Sequence, residues 1–487
     1  MLSSNDYRYE NVRSRIAFLL RFGAWSAFVA VGAATFFYIP WKNNFEPYVL
    51  ATGISLMLLS ASLIVTPLAR FSNCLNNYAP RPRWIYLIIG FGVILRIAWV
   101  ISVEPKQTSD MVSYMQAAQR IVDSGDYLYQ LADGHIFYAW RAVGYPAVLA
   151  LFITLLGSNE WVPFVVNLLS YIGCSLVIYK LAKLTTESHR SGLLAALMFA
   201  VWPAHIMMSG LALGEGFSLF LFTFVVYALI LTFERESARW AILTGLVSGV
   251  AVLTRPSLLV IPVLWFLFWL MQTRRSWYRL ALVAVATITM AATVAPWSYR
   301  NFEKLGAVIP VSTNGGDNFY RANNPLADGT FKSAGERDLS AYAHDEVLWN
   351  ETGYEWGKQW IAENPGQFIL LAIRKQGILL GDETFAAAWS LDRAFDPPHG
   401  FYRGAANLST LWWTLIWILT VAGVWKQRRF LISSPQAGFV LWMSLLFVVI
   451  HSVYESQDRY HLPMIGILCV LATLWFDDEI DPDKSGN

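Results

Sequence analysis

Trp84-Ile-Tyr-Leu-Ile-Ile-Gly-Phe-Gly-Val-Ile-Leu-Arg-Ile-Ala-Trp-Val-Ile-Ser-Val103 is a nearly unbroken apolar run, and the chain leaves it through Glu104-Pro-Lys-Gln-Thr-Ser-Asp110. A hydrocarbon core of ~30 Å takes about 20 helical residues to cross, so this run reads as a membrane span. Beyond its end, Met111, Tyr114, Met115, Ala118, Ile121 and Val122 recur at helical spacing. The segment after the span is therefore an amphipathic helix opening at Thr108-Ser109, with Asp110 in its first turn, where the helix dipole favours an ionised carboxylate. An ionised carboxylate at a water–membrane boundary suits a general base, and helix capping is the competing role.

Runs of the same kind recur outward from this one, near 17-38, 48-68, 84-102, 162-181, 191-208, 214-232, 240-254, 257-271, 280-297, 407-425, 436-452 and 461-476. These predict an all-α polytopic membrane protein of about twelve spans. Composition agrees: 56% of the 487 residues are hydrophobic and 14% charged, against roughly 25% charged in soluble domains. The net charge of +2 comes without a basic stripe, which excludes nucleic acid as a partner. Cys74, Cys174 and Cys469 lie far apart, in or beside apolar segments, and read as packing residues. The first apolar run is too long for a signal-peptide core and is expected as a retained span.

With the N-terminus inside, every cytoplasmic connection is basic, as in Arg81 and Arg83, Arg274 and Arg275, or Arg428 and Arg429. That parity requires 144-156 to be re-entrant or interfacial, and Arg374 and Lys375 suggest that 367-381 lies along the outer interface. Trp41, Trp161, Trp202 and Trp297 fall near outer ends, as an aromatic belt requires. The expected organisation is a two-span extension (1-83), a transmembrane core (84-297) with a first outer loop at 103-143, and an outer region with an interfacial helix (298-406). Closing spans (407-476) and a solvated, dispensable tail (477-487) follow. The outer segments 103-143 and 298-366 are long yet rich in aromatics, so they are expected to pack and to carry function.

Chemistry-bearing residues concentrate on that outer side. Arg141, in Trp140-Arg-Ala-Val-Gly-Tyr145-Pro146, either snorkels or holds phosphate. Glu215 opens a span, and Arg255 in Leu253-Thr-Arg-Pro256 sits on an outer turn where it could pair with Glu215 or meet an anion. Asn314-Gly315-Gly316 offers backbone N–H groups to an anion or marks a tight turn. Tyr320 and Asn324 follow in the same loop. Glu455, Asp458, Arg459, Tyr460 and His461 crowd one short turn; such clusters are usually solvated, but this turn must approach both loops, and the planar fork of Arg459 suits phosphate oxygens. No metal motif stands out, although a divalent ion, Mg or Mn, at Asp110 stays open.

Taken in order, Ser109-Asp110, Arg141 to Pro146, Ser209 to Glu215, Leu253 to Pro256, Pro296-Trp-Ser-Tyr-Arg300-Asn301, Asn314 to Gly316 and Arg459-Tyr-His-Leu-Pro463 resemble the GT-C glycosyltransferases that use polyprenyl-phosphate sugars. The nearest branch holds protein O-mannosyltransferases, the lipid A aminoarabinose transferase and lipopolysaccharide-core sugar transferases, and the resemblance covers about 84-476. It implies inverting transfer at the periplasmic face of a bacterial inner membrane, from a polyprenyl-phosphate sugar donor to a lipid, glycan or protein acceptor. Asp110 is the implied catalytic base and Arg141, Arg255 and Arg459 the implied phosphate ligands; Glu215, Tyr145, Asn314, Tyr320, Asn324, Tyr460 and His461 are expected to bind substrate. Met111 stands where many relatives carry a second acid. Alternatives are a glycan ligase with a diphosphate-linked donor, a flippase, and a non-catalytic scaffold.

Overall fold

A computed structural model describes residues 14–32, 65–74, 81–130, 134–272, 275–330, 337–392 and 399–478. Most of the expected span 48-68 and most of the tail lie outside them. The architecture is helical, with one two-residue β-pair in which Tyr129 faces Phe137.

Among the described residues, seven helices are long and apolar enough to span a membrane, or eight if a bent pair counts as one. Twelve continuous spans are not reproduced, and proline is one local reason. Pro256 opens a 3-10 turn that splits 256–271 from its predecessor, and the last expected span begins as the 3-10 segment Asp458–Met464, with Pro463 inside it. His189–Ala200 and Pro203–Gly210 meet at 54°, because Pro203 cannot continue the preceding helix. The carbonyl of Ala200, orphaned by that break, accepts from buried Arg96 Nη1 at 3.0 Å. Arg96 also donates to Gly92 O, bonds His205 Nδ1 and stacks 3.6 Å from the Tyr171 ring. Both terminal amino groups of a cation in the middle of a span are thus bonded without a carboxylate.

Trp277–Leu305 runs for 29 residues, about 44 Å at ~1.5 Å per residue, and so overshoots a ~30 Å hydrocarbon core. The overshoot carries Arg300 and Lys304 beyond the apolar layer, where both bind Asp126 of the first long loop, at 2.9 and 3.1 Å. Gly245 and Gly249 seat Ala238–Thr254 against this long helix, since a Cβ at either would overlap its atoms. Gly144–Leu156 has 13 residues, about 20 Å, too short to cross alone.

The core lies between the spans, where Trp202, Trp265, Trp413 and Trp417 are fully buried. Cys174 and Cys469 are buried there, but Cys74 is exposed, so the packing role expected of it fails. Asp477, expected in a solvated tail, is buried and accepts from Ser191 Oγ at 2.8 Å.

Candidate functional site

The first loop is tied down before it reaches Asp110. Gln107 donates to Gly210 O and accepts from Ala212 N, both at 2.8 Å, while Asn167 Nδ2 donates to Ser209 O and Leu211 O from the other side. The turn preceding Glu215 is thereby locked to the turn preceding Asp110. Ser109 then adopts φ +51°, a conformation disfavoured for a non-glycine residue that persists only where its surroundings impose it. Its side chain caps nothing, contrary to the expected cap, and Asp110 becomes the first residue of the helix Asp110–Ser124.

Arg141 Nη2 meets Asp110 Oδ1 at 2.9 Å and Arg459 Nη2 meets Oδ2 at 3.3 Å. Arg459 reaches Glu215 with its other amino group at 3.6 Å, so Glu215 is paired with Arg459 where Arg255 had been the expected competitor. Burial pushes the Asp110 carboxyl up, but the charges and hydrogen bonds of the two arginines outweigh it and hold the group below its ordinary value. Arg141 is fixed by Tyr127 Oη donating to its carbonyl at 3.0 Å and by the rings of Tyr114 and Tyr129 beside its guanidinium. Gly144 packs on Leu253 and Thr254 so closely that a Cβ would lie 2.6 Å from Thr254 Oγ1. That contact brings Arg141 and Arg255 to one place.

The place is a cavity of ≈ 730 Å³ whose lining includes Asp110, Arg141, Glu215, Arg255, Arg459 and Glu455. Tyr145, Asn314 and Tyr460 also line it; Tyr320, Asn324 and His461 do not. Tyr320 is buried against Trp356, its hydroxyl accepting from Arg337 N. Asn324 spends its side chain on Tyr320 O and Leu326 N. His461 turns away to Leu379 O and Glu383 and stacks on Trp413. Gly315 and Gly316 make neither a cradle nor a tight turn: they open the helix Gly315–Ala322, and Gly316 seats it against Asn350.

Glu346 escaped the sequence reading. Its buried carboxylate accepts from Tyr138 N at 2.6 Å, Ala139 N at 3.2 Å and Thr313 Oγ1 at 2.7 Å, tying the first long loop to the second. Among the described residues no three His, Cys, Asp or Glu side chains are grouped to hold a metal, and guanidinium groups occupy both oxygens of Asp110. The site does not fit a divalent ion.

A family profile described as dolichyl-phosphate-mannose-protein mannosyltransferase matches residues 141–299. The fold superposes on the oligosaccharyltransferase of Archaeoglobus fulgidus solved with Zn and sulfate, with TM-score 0.50 and 13% identity over 80% of this chain and 48% of that one. That likeness shows a shared fold. The chain spans about half the length of that structure and of the same organism's AglB in complex with an inhibitory peptide and a dolichol-phosphate (TM-score 0.49, 12% identity, 80% and 50% covered). ArnT from Cupriavidus metallidurans, bound to undecaprenyl phosphate, is 15% identical, with 81% of this chain and 78% of that one covered and TM-score 0.39. No curated protein matches the sequence.

Proposed function

We propose that this chain is a GT-C glycosyltransferase that transfers a sugar from a polyprenyl-phosphate donor to a hydroxyl of a lipid, glycan or protein at the outer membrane face, with inversion at the anomeric carbon. The observation that carries the reading is the grip of Arg141 and Arg459 on Asp110, together with a buried Nε–H on each arginine that has no acceptor among the described residues. Two cations with donors to spare beside a cavity suit a phosphate, whose oxygens accept several charge-assisted hydrogen bonds at once. The matched family's description names a lipid-phosphate sugar, which is the same chemistry.

The residues divide the work. The arginines bind the donor phosphate and stabilise the charge it gains as the bond between the anomeric carbon and the phosphate oxygen breaks. As they turn toward the phosphate, Asp110 loses the partners that hold its basicity down and accepts the proton of the incoming hydroxyl. The acceptor oxygen bonds to the anomeric carbon, and the phosphate leaves with the electron pair. Glu215 keeps Arg459 in place. The test is binding of free polyprenyl phosphate to the full chain in nanodiscs: Arg459→Met should weaken it by roughly tenfold or more, the size of a lost charge-assisted contact. Equal binding by wild type and variant would remove the phosphate clamp.

A further inference from the structure

His451, Glu455 and Tyr460 form one unit on the cavity wall beside Arg459. Tyr460 stacks on the His451 ring at 4.9 Å and donates its hydroxyl to Glu455 Oε1 at 3.0 Å. His451 Nδ1 lies 2.7 Å from the Glu455 carbonyl oxygen. A carbonyl only accepts, so Nδ1 carries the proton and Nε2 of the neutral ring is a bare acceptor. Among the described residues Nε2 has no partner, and neither has Glu455 Oε2. His451 and Glu455 are 6% and 3% exposed, and both line the cavity. Two buried acceptors without donors are costly to leave unpaired.

We infer that His451 and Glu455 form the subsite that reads the donor's sugar, each accepting a hydrogen bond from one of two neighbouring hydroxyl groups, with Tyr460 holding both acceptors in place. The inference rests on the transferase reading and names the part of the donor that the arginines do not touch. A phosphate cannot satisfy this pair because it brings acceptors to acceptors; a diol brings the missing donors. Glu455 must be ionised to accept. Burial raises its carboxyl above the ordinary range, against the lowering charges of Arg321 and Arg459 and the hydrogen bond from Tyr460, with Asp110 raising it further. Lys375 and His451 also lie beside it, and Arg255 lies over the Tyr460 ring. Sugar reading is therefore present above the Glu455 pKa and fades as pH falls through it.

The experiment compares two probes on the full chain in nanodiscs: free polyprenyl phosphate, and a panel of polyprenyl-phosphate hexoses and pentoses that includes mannose. Wild type should bind at least one sugar-bearing lipid better than the free phosphate. Glu455→Gln should abolish that preference, a loss of roughly tenfold for one charge-assisted hydrogen bond, and leave the free phosphate within about twofold, which also reports an intact fold. His451→Gln should do the same, and a monodeoxy donor lacking the hydroxyl read by Glu455 should bind wild type and Glu455→Gln alike. Loss of both probes together in Glu455→Gln, or of neither, overturns the subsite. Wild type binding free phosphate with no preference for any sugar overturns the subsite alone; wild type binding no lipid overturns the transferase reading and the subsite with it.

Discussion

Arg459 and Asp110 are 349 residues apart in the chain and 3.3 Å apart in space. The contact joins the turn before the last helical segment to the start of the first outer loop. It places one cation between two carboxylates, since Arg459 also reaches Glu215. An arginine so held is pre-aimed, and its guanidinium loses little freedom when a phosphate replaces one partner.

Glu215→Gln should therefore act through Arg459. Transfer is expected to fall roughly tenfold, from a loosened charge stabiliser, with a smaller effect on thermal stability because Arg459 keeps Asp110 as a partner. Steady-state rates and melting in detergent check both parts.

Gly144→Ala tests the packing that joins Arg141 to Arg255. The added methyl meets Leu253 and Thr254 at 2.6–2.7 Å, and such overpacking costs about 1–3 kcal/mol. The shift it forces displaces both arginines, so activity should fall at temperatures where the variant is still folded. Activity measured well below the melting transition separates this from simple unfolding.

Lys375 gives the fold a pH dependence. It is fully buried, donating to Asn323 Oδ1 and Val453 O, and burial lowers its pKa to about 7. The unfolded chain, with lysine near ~10.4, binds more protons above pH 7, so stability should rise with pH between about 7 and about 10. Below that window both states are charged and the burial penalty is complete. Lys375→Met should flatten the slope of melting temperature against pH.

Glu346→Gln replaces an acceptor of three hydrogen bonds by an amide that cannot accept them all. A cost of about 1–3 kcal/mol is expected, concentrated in the outer loops. Hydrogen exchange at 138–139 and around Thr313 should quicken more than in the spans.

The sequence made the fold class legible because span-length apolar runs need only counting. It placed Asp110, Arg141, Glu215, Arg255 and Arg459 at one face, and the structure gathers them in one cavity. The turn 458–464 shows where reading along the chain ends. A 3-10 helix repeats every three residues, so Asp458 and His461 share a face directed at 379–385, while Arg459 and Tyr460 face the cavity. Adjacency alone grouped all four. Glu455 belonged to a cluster of a kind that is usually solvated, and its burial depends on helices distant in sequence. Gln107, Asn167 and Glu346 gave no local signal, because their partners are backbone groups of remote turns. The expected twelve spans counted apolar length without the breaks at Pro203, Pro256 and Pro463.

The most direct measurement compares glycans, lipids and surface proteins by mass spectrometry in a deletion strain carrying the wild-type gene or Asp110→Asn at matched protein levels. Asparagine keeps the shape and removes the charge. A sugar-mass increment restored by wild type and lost roughly 100-fold or more in the variant, the scale of a missing general base, is the expected result and identifies the acceptor. Equal restoration by both would contradict the catalytic role of Asp110.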